Sequence, residues 1–246
     1  MSQLNKHTVE KIGGTSMSNY EAVRDSVILH QGRLKDLYQR VFVVSAYGGM
    51  TDLLLESKHT GRPGVYALFA NADEDQDWRD ALTAVRQKMT EINRDLFADR
   101  NDLVRAETFI GERLDDAERC LSDLQSLSAH GHFELDAHLL TVREMLASLG
   151  EAHSAWNTAE LLKRDGINAR FLDLSGWNAE KHYSLDEHIK RALADVDLSC
   201  ELPIATGYAH SQDGLMSSYD RGYSEITFSR IAVLTHAREA IIHKEY

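Results

Sequence analysis

The chain has 246 residues, 43% hydrophobic and 27% charged, with 2 Pro and 2 Cys, which excludes a disordered, collagen-like or disulfide-stapled polypeptide and leaves an ordinary α/β globule. Lysine and arginine number 27 against 39 aspartate and glutamate, a formal charge of -12; a field of that sign repels phosphate backbones and anionic lipid, so neither nucleic acid nor membrane is an expected partner. Residues 1–7 are polar and the densest aliphatic run, 41–44, is far too short to cross a bilayer, so a cytoplasmic location is expected. Cys120 and Cys200 are far apart and form no Cys-x-x-Cys pair, and are expected as packed thiols in a reducing compartment.

The segment 8–12 alternates Val9 and Ile12 with polar residues, and Gly13-Gly14-Thr15-Ser16 then breaks it. A helix is predicted from Asn19 towards Tyr38, with Ser18 available as its cap. Residues 41–45 form a second, apolar strand, followed by a second glycine turn, Tyr47-Gly48-Gly49, and a helix from Thr51. Two strand–glycine–helix units in tandem predict a mainly parallel sheet with its ligand loops at the carboxyl ends of the strands. Leu82, Val85, Met89, Ile92 and Leu96 then recur at helical spacing, as do Leu103, Ala106, Ile110, Leu114, Ala117, Leu121 and Leu124. These are two long amphipathic helices, separated near Arg100-Asn101-Asp102, in an insert spanning about 71–130. Fifteen acidic against eight basic side chains between positions 71 and 128 place more than half of the excess negative charge in this insert. Further helices are expected around 139–149, over 155–164 and over 186–194, with strands at 169–174, 202–206 and 240–243. The fold class is thus α/β: a three-layer αβα sandwich around a mainly parallel sheet, carrying a long helical insert.

Three glycine-bearing loops follow strands: at Gly13-Gly14, at Gly48-Gly49 and at Gly207, with Gly214 and Gly222 later. Glycine lets backbone N–H groups approach an anion closely, and a helix N-terminus adds favourable partial charge. Neither a Walker A pattern nor Gly-x-Gly-x-x-Gly is present, and ordinary tight turns account for a Gly-Gly pair about equally well. Lys11 lies inside the first strand, where a lysine is costly without an anion nearby, although at a strand end it would reach into water. Arg221 beside Gly222 suits a carboxylate or phosphate as readily as it suits a solvated ion pair. Glu144 falls opposite the apolar stripe of its helix, where an exposed glutamate is the plain reading. His130, His132 and His138 lack the spacing that puts two imidazoles on one helical face, so no metal site is expected.

Val9-Glu10-Lys11-Ile12-Gly13-Gly14-Thr15-Ser16-Met17 resembles the Lys-Phe-Gly-Gly-Thr-Ser opening of the aspartate kinases, members of the amino-acid kinase superfamily. Ser45-Ala46-Tyr47-Gly48-Gly49-Met50-Thr51-Asp52-Leu53-Leu54 is similar to that family's second motif, and Arg221-Gly222-Tyr223-Ser224-Glu225 to its Arg-Gly-Gly-Ser-Asp segment. The resemblance covers essentially the whole chain as an amino-acid kinase catalytic domain (1–246), and its details resemble the branch associated with the ectoine pathway. It implies transfer of the γ-phosphoryl group of MgATP to the β-carboxylate of L-aspartate, giving 4-phospho-L-aspartate, with Mg2+ carried by the nucleotide. Lys11 would contact the transferring phosphoryl group, Gly13 and Gly14 would supply N–H donors beside Thr15, and Ser45 would lie near the phosphoryl path. Thr51 and Arg221 would hold aspartate, Glu144 would meet its ammonium, Glu225 would orient the lysine, and Lys244 would lie near ATP. Ile12, Tyr223 and Glu225 replace the family's usual Phe, Gly and Asp. By the same resemblance the chain ends before the segment that completes the nucleotide site and before the regulatory domains. The long helices are expected to serve a homodimer. Two alternatives stay open: a related kinase with another carboxylate acceptor, and a shortened, non-catalytic ligand-binding or interaction protein.

Overall fold

The computed structural model describes residues 7–29, 37–71, 75–130, 132–177, 183–212, 214–216 and 222–244. Its sheet is built from β1 (Thr8–Ile12), β2 (Arg40–Val44), β3 (Ala169–Leu172), β4 (Leu202–Thr206) and β5 (Glu239–His243). The strand order is β3-β4-β2-β1-β5 and every neighbouring pair is parallel. Every residue of β1, β2 and β4 is buried, as expected for central parallel strands covered on both faces. The edge strand β5 is largely exposed.

The chain divides into two compact units, one formed by residues 1–48 and 151–246 and the other by Gly49–Gly150. The first holds the sheet. On one face Val9, Val41, Val43 and Ala205 pack with Ile189 of α8 (Leu185–Leu193) and with Phe228 and Ile231 of α9 (Tyr223–Leu234). On the other, the Arg40 guanidinium donates to the carbonyls of Ile28 and Val27 at 2.6 and 2.8 Å. It thereby satisfies carbonyls at the end of a π-helical turn, Arg24–Ile28, that continues α2 (Tyr20–Val23) after the single turn α1 (Gly14–Met17). Helices on both faces make this unit a three-layer αβα arrangement.

The second unit is helical: α3 (Met50–Leu54), α4 (Val65–Asn71), α5 (Asp75–Leu96), α6 (Arg100–Ser128) and the first part of α7 (Leu139–Arg164). Asp99 starts α6, because its carboxylate accepts from the Asn101 and Asp102 amides at 2.8 and 3.1 Å. Of the predicted stripes, Leu82, Val85 and Met89 from α5 and Ala106, Ile110, Leu114, Ala117 and Leu121 from α6 are buried, with Trp78 beside them; Ile92, Leu96, Leu103 and Leu124 are half-buried. Arg79–Glu118 and Arg86–Asp115 cross between the two helices on their outer faces, which fixes an antiparallel hairpin.

Three features differ from the sequence reading. The helix expected from Asn19 is described only as the short α2 and its π turn, and residues 30–36 of that prediction lie outside the described residues. The stretches 139–149 and 155–164 are one helix, α7; Gly150 lowers helix propensity by about 1 kcal/mol, but burial on both sides of it carries the helix through. Cys120 and Cys200 are exposed rather than packed. Cys120 falls between Ala117 and Leu121 on the outer side of α6, and Cys200 stands in the turn before β4.

Candidate functional site

The hydrogen bonds from Ser45 N–H to Ile12 O and from Gly207 N–H to Val44 O extend the ladder past the carboxyl ends of β1, β2 and β4. This brings the three glycine loops side by side. At Gly14 a Cβ would lie 2.6 Å from Ala46 O, so only glycine allows the first loop to approach the second this closely. The Ser18 hydroxyl ties them further, accepting from Gly48 N–H at 2.9 Å and donating to Gly14 O at 3.4 Å. Gly13 N–H reaches His243 O at 3.4 Å, so the end of β5 closes on the first loop and Lys244 follows it, exposed. Thr15 is exposed on α1.

Lys11 points to the α9 face of the sheet and is 6% exposed. Its ammonium meets Glu225 Oε1 at 3.0 Å. Glu225 stands in the first turn of α9, whose cap is Gly222 at φ 95°. The extra methylene relative to aspartate therefore does not prevent the carboxylate from reaching the lysine. The preceding residue, Ser224, donates from its hydroxyl to Glu151 Oε1 at 2.6 Å and lies 3.4 Å from the Ser45 hydroxyl. Lys11, Ser45, Ser224 and Glu225, from three separate sequence regions, thus form one cluster with Glu151.

Glu151 was not among the residues picked from the sequence. It is 2% exposed, and Oε2 has no hydrogen-bond partner of good geometry. Burial pushes its pKa up to about 8, against the pull of the Ser224 hydroxyl, the Lys11 ammonium and the Tyr208 backbone, with Glu225 adding to the rise. A Cβ on Gly207 would lie 2.6 Å from Glu151 Oε2, so the third glycine is what leaves that oxygen its space. A buried carboxyl with one oxygen unengaged and only partial compensation from Lys11 is a seat for a further cation or N–H donor. A sequence signal for it existed: most residues of 146–162 are small or apolar around the whole helix, which points to a helix buried on most sides with Glu151 among its buried residues.

The remaining expected residues fall elsewhere. Thr51 is half-buried on α3, and Glu144 is on α7; both belong to the helical unit. Glu144 is 6% exposed rather than solvated, because residues packed around α7, invisible to its own periodicity, cover the polar side. Arg221 lies outside the described residues. Among the described residues no group of three His, Cys, Asp or Glu side chains is arranged to hold a metal ion, and no helix is long and apolar enough to cross a membrane.

A parallel sheet carries glycine loops and a buried lysine ion-paired to a glutamate at its carboxyl edge, and the sequence pattern of the amino acid kinase family matches residues 6–245. The chain belongs to that family. Over 240 residues it is 56% identical to aspartate kinase Ask_Ect of Stutzerimonas stutzeri (strain A1501), an alignment covering 98% of this chain and 50% of the relative. Among solved structures it resembles E. coli aspartokinase III in complex with aspartate and ADP (R-state), with TM-score 0.57 and 20% identity over 94% of this chain and 47% of that one. The same enzyme in complex with lysine and aspartate (T-state) gives TM-score 0.58 and 20% identity over 97% and 49%. At that identity the likeness establishes the amino-acid kinase fold. The chain spans about half the length of each relative.

Proposed function

We propose that this chain is the catalytic part of an aspartate kinase, transferring the γ-phosphoryl group of MgATP to the β-carboxylate of L-aspartate. The observation that carries the proposal is the cluster of buried Lys11, Glu151 and Ser224 with the exposed Glu225, beside three glycine loops; the 56% identity to an aspartate kinase supports the choice of acceptor.

The chemistry asks little of the protein beyond alignment and charge neutralisation. An ionised β-carboxylate oxygen attacks the γ-phosphorus, the bond to the bridging oxygen of ADP breaks, and no proton has to be removed from the nucleophile. Lys11, held by Glu225, supplies positive charge at the transferring group. The N–H group of Gly14 beside Thr15 faces the phosphates, that of Gly13 joins it on giving up its long 3.4 Å contact with His243 O, and the Ser45 hydroxyl lies next to the path. Thr51 and Arg221 hold aspartate by its polar groups. Glu151 takes the ammonium role that the resemblance gives to Glu144, because its unengaged, buried oxygen gains what it lacks from a cation. Lys244, at the end of β5, serves the nucleotide, and Mg2+ arrives with the phosphates. Homodimerisation through α5 and α6, a cytoplasmic location and the ectoine-pathway branch belong to the same proposal.

The test is ATP-dependent acyl phosphate, trapped with hydroxylamine, formed by the protein in full length from aspartate. Glutamate, N-acetylglutamate and carbamate serve as competing acceptors. Product from aspartate above all others is expected; none from aspartate overturns the reading. A monomer by light scattering at micromolar concentration overturns the dimer.

A further inference from the structure

The helix that carries Glu151 has a second buried polar stripe whose groups the phosphoryl transfer does not use. Glu151, Ser154 and Thr158 lie along one line of α7, three and four residues apart, and His153 and Asn157 along the next. All five are 2% exposed or less. Ser154 donates to Ser45 O at 2.8 Å, so the first stripe engages Ser224 through Glu151 and the second glycine loop through Ser154. The second stripe reaches the same loop one residue pair further on. The His153 ring packs edge-on to the Tyr47 ring with centroids 5.3 Å apart and planes at 73°. His153 Nε2 lies 3.1 Å from Asn157 Nδ2, and the Asn157 amide, near the Tyr47 hydroxyl, offsets part of the rise that burial gives the tyrosine's pKa. Burial holds His153 neutral, its pKa down at about 3, and raises that of Tyr47. With the ring neutral, Nε2 accepts from the asparagine, and the amide is fixed between two aromatic side chains.

A buried tyrosine next to two glycines has an evident packing role, but this one is anchored by its polar end. Its peptide is also where the loop's contacts converge: Ala46 O lies against Gly14, Ser45 O receives Ser154, and Gly48 N–H meets Ser18. We infer that His153 and Asn157 are positioning residues, which act through Tyr47 to hold the 45–48 loop and so set the Ser45 hydroxyl and the Gly13-Gly14 amides for phosphoryl transfer. The inference rests on the kinase reading for its catalytic consequence and on the loop geometry alone for its structural one. A displacement of the loop of about 1 Å is enough to cost one to two orders of magnitude in the chemical step.

The experiment uses the full-length protein with Tyr47→Phe, Asn157→Leu and the pair combined. Tyr47→Phe removes one oxygen and keeps the ring, so folding is retained even where Asn157→Leu impairs it. Amide hydrogen exchange over 45–48 is read by mass spectrometry, and kcat and KM are measured for aspartate and MgATP. Exchange in the loop is expected to rise at least about tenfold in each single variant. The expected kcat falls about tenfold, with both KM values within about twofold, and the double variant no worse than the poorer single one, since both cut one chain of contacts. Unchanged loop exchange overturns the inference whether or not the protein is a kinase. So do kcat losses that multiply in the double variant, or a loss confined to KM. Faster loop exchange in the variants of a wild type that makes no acyl phosphate would instead count against the kinase reading and leave the anchoring of the loop supported.

Discussion

Adjacent residues of β1 bury opposite charges on opposite faces of the sheet, and the two faces treat them differently. On the Glu10 side the carboxylate is fully engaged. Arg40 donates to both oxygens at 2.6 and 2.8 Å, Thr8 donates at 2.7 Å, and His243 of β5 lies at 2.7 Å. Burial alone would raise the pKa of Glu10, but these partners, Arg40 foremost, bring it down to about 2. On the Lys11 side the buried carboxyl, Glu151, has the Ser224 hydroxyl, the Tyr208 backbone and the charge of a lysine that is itself paired with Glu225, and its pKa still goes up to about 8. Both clusters are ionic, each buries a glutamate, and they stand one residue apart along the strand. The first is complete and holds β1, β2, β5 and the π turn together; the second is left short of positive charge, which is the condition for binding a cationic group.

The variant expected to break this contrast most severely is Lys11→Ala, which removes the cation of the second face. Turnover in the hydroxylamine assay should fall about 10³-fold, the size of effect seen when a charge-stabilising donor is lost, while the protein stays folded. Retention of more than a tenth of the activity would remove Lys11 from the chemistry.

Glu151→Gln comes next. It preserves shape and can keep the Ser224 contact but cannot ionise, and KM for aspartate should rise about a hundredfold with a smaller change in kcat. On the proposed reading an ammonium binds the ionised form, so a proton must leave Glu151 below its pKa of about 8. Aspartate affinity should therefore strengthen as pH rises from 6 to 8, by up to about tenfold per unit, and level off above it. Calorimetry showing the same slope in Glu151→Gln would assign the titration to another group.

On the first face, Glu10→Gln should cost about 3 kcal/mol in chemical denaturation, because Arg40 is left buried without its counter-charge, with little loss of kcat in the folded fraction. A carboxylate with a depressed folded pKa stabilises above its unfolded value and loses that stabilisation as pH falls. The difference between wild type and Glu10→Gln should accordingly narrow from the ordinary 4.5 down to about 2. Glu151 carries the opposite sign. Its raised pKa means that wild-type stability declines as pH climbs from 4.5 to about 8, and Glu151→Gln should melt higher than wild type at pH 8. Thermal melts in which both glutamine variants shift in the same direction at pH 8 would erase the distinction between the faces.

The smallest effect belongs to the helical unit, where Arg86 and Asp115 are 36% and 63% exposed. Removing either side chain should change stability by less than about 0.5 kcal/mol, a control for how little an exposed ion pair contributes beside a buried one.

Much of this site is legible in the sequence because its parts are local. A lysine inside an apolar strand, glycine pairs directly after strands and a Ser-Glu pair after Gly222 each have a backbone reason to stand where they do, and Lys11, Ser45 and Glu225 do meet. Glu144 and Glu151 show the limit. They are seven residues apart, nearly two turns of one helix, and therefore share roughly one face. Periodicity treated Gly150-Glu151 as a gap between two helices and Glu144 as solvated. The helix is continuous, both residues are buried, and the carboxylate grouped with Lys11 is Glu151. The Tyr47–Asn157–His153 contact is equally invisible, since the residues it joins lie more than a hundred positions apart along the chain.

By itself the sequence determined the parallel α/β class, the three glycine loops, the acidic helical hairpin and a lysine inside the first strand, because strand alternation, turn chemistry and helical spacing act over a few residues at a time. Only the tertiary structure decided which carboxylate stands buried and under-compensated beside that lysine and which side chains support the loop opposite it. Burial and charge pairing depend on what every other element brings to a point in space, and no periodicity along one segment records that.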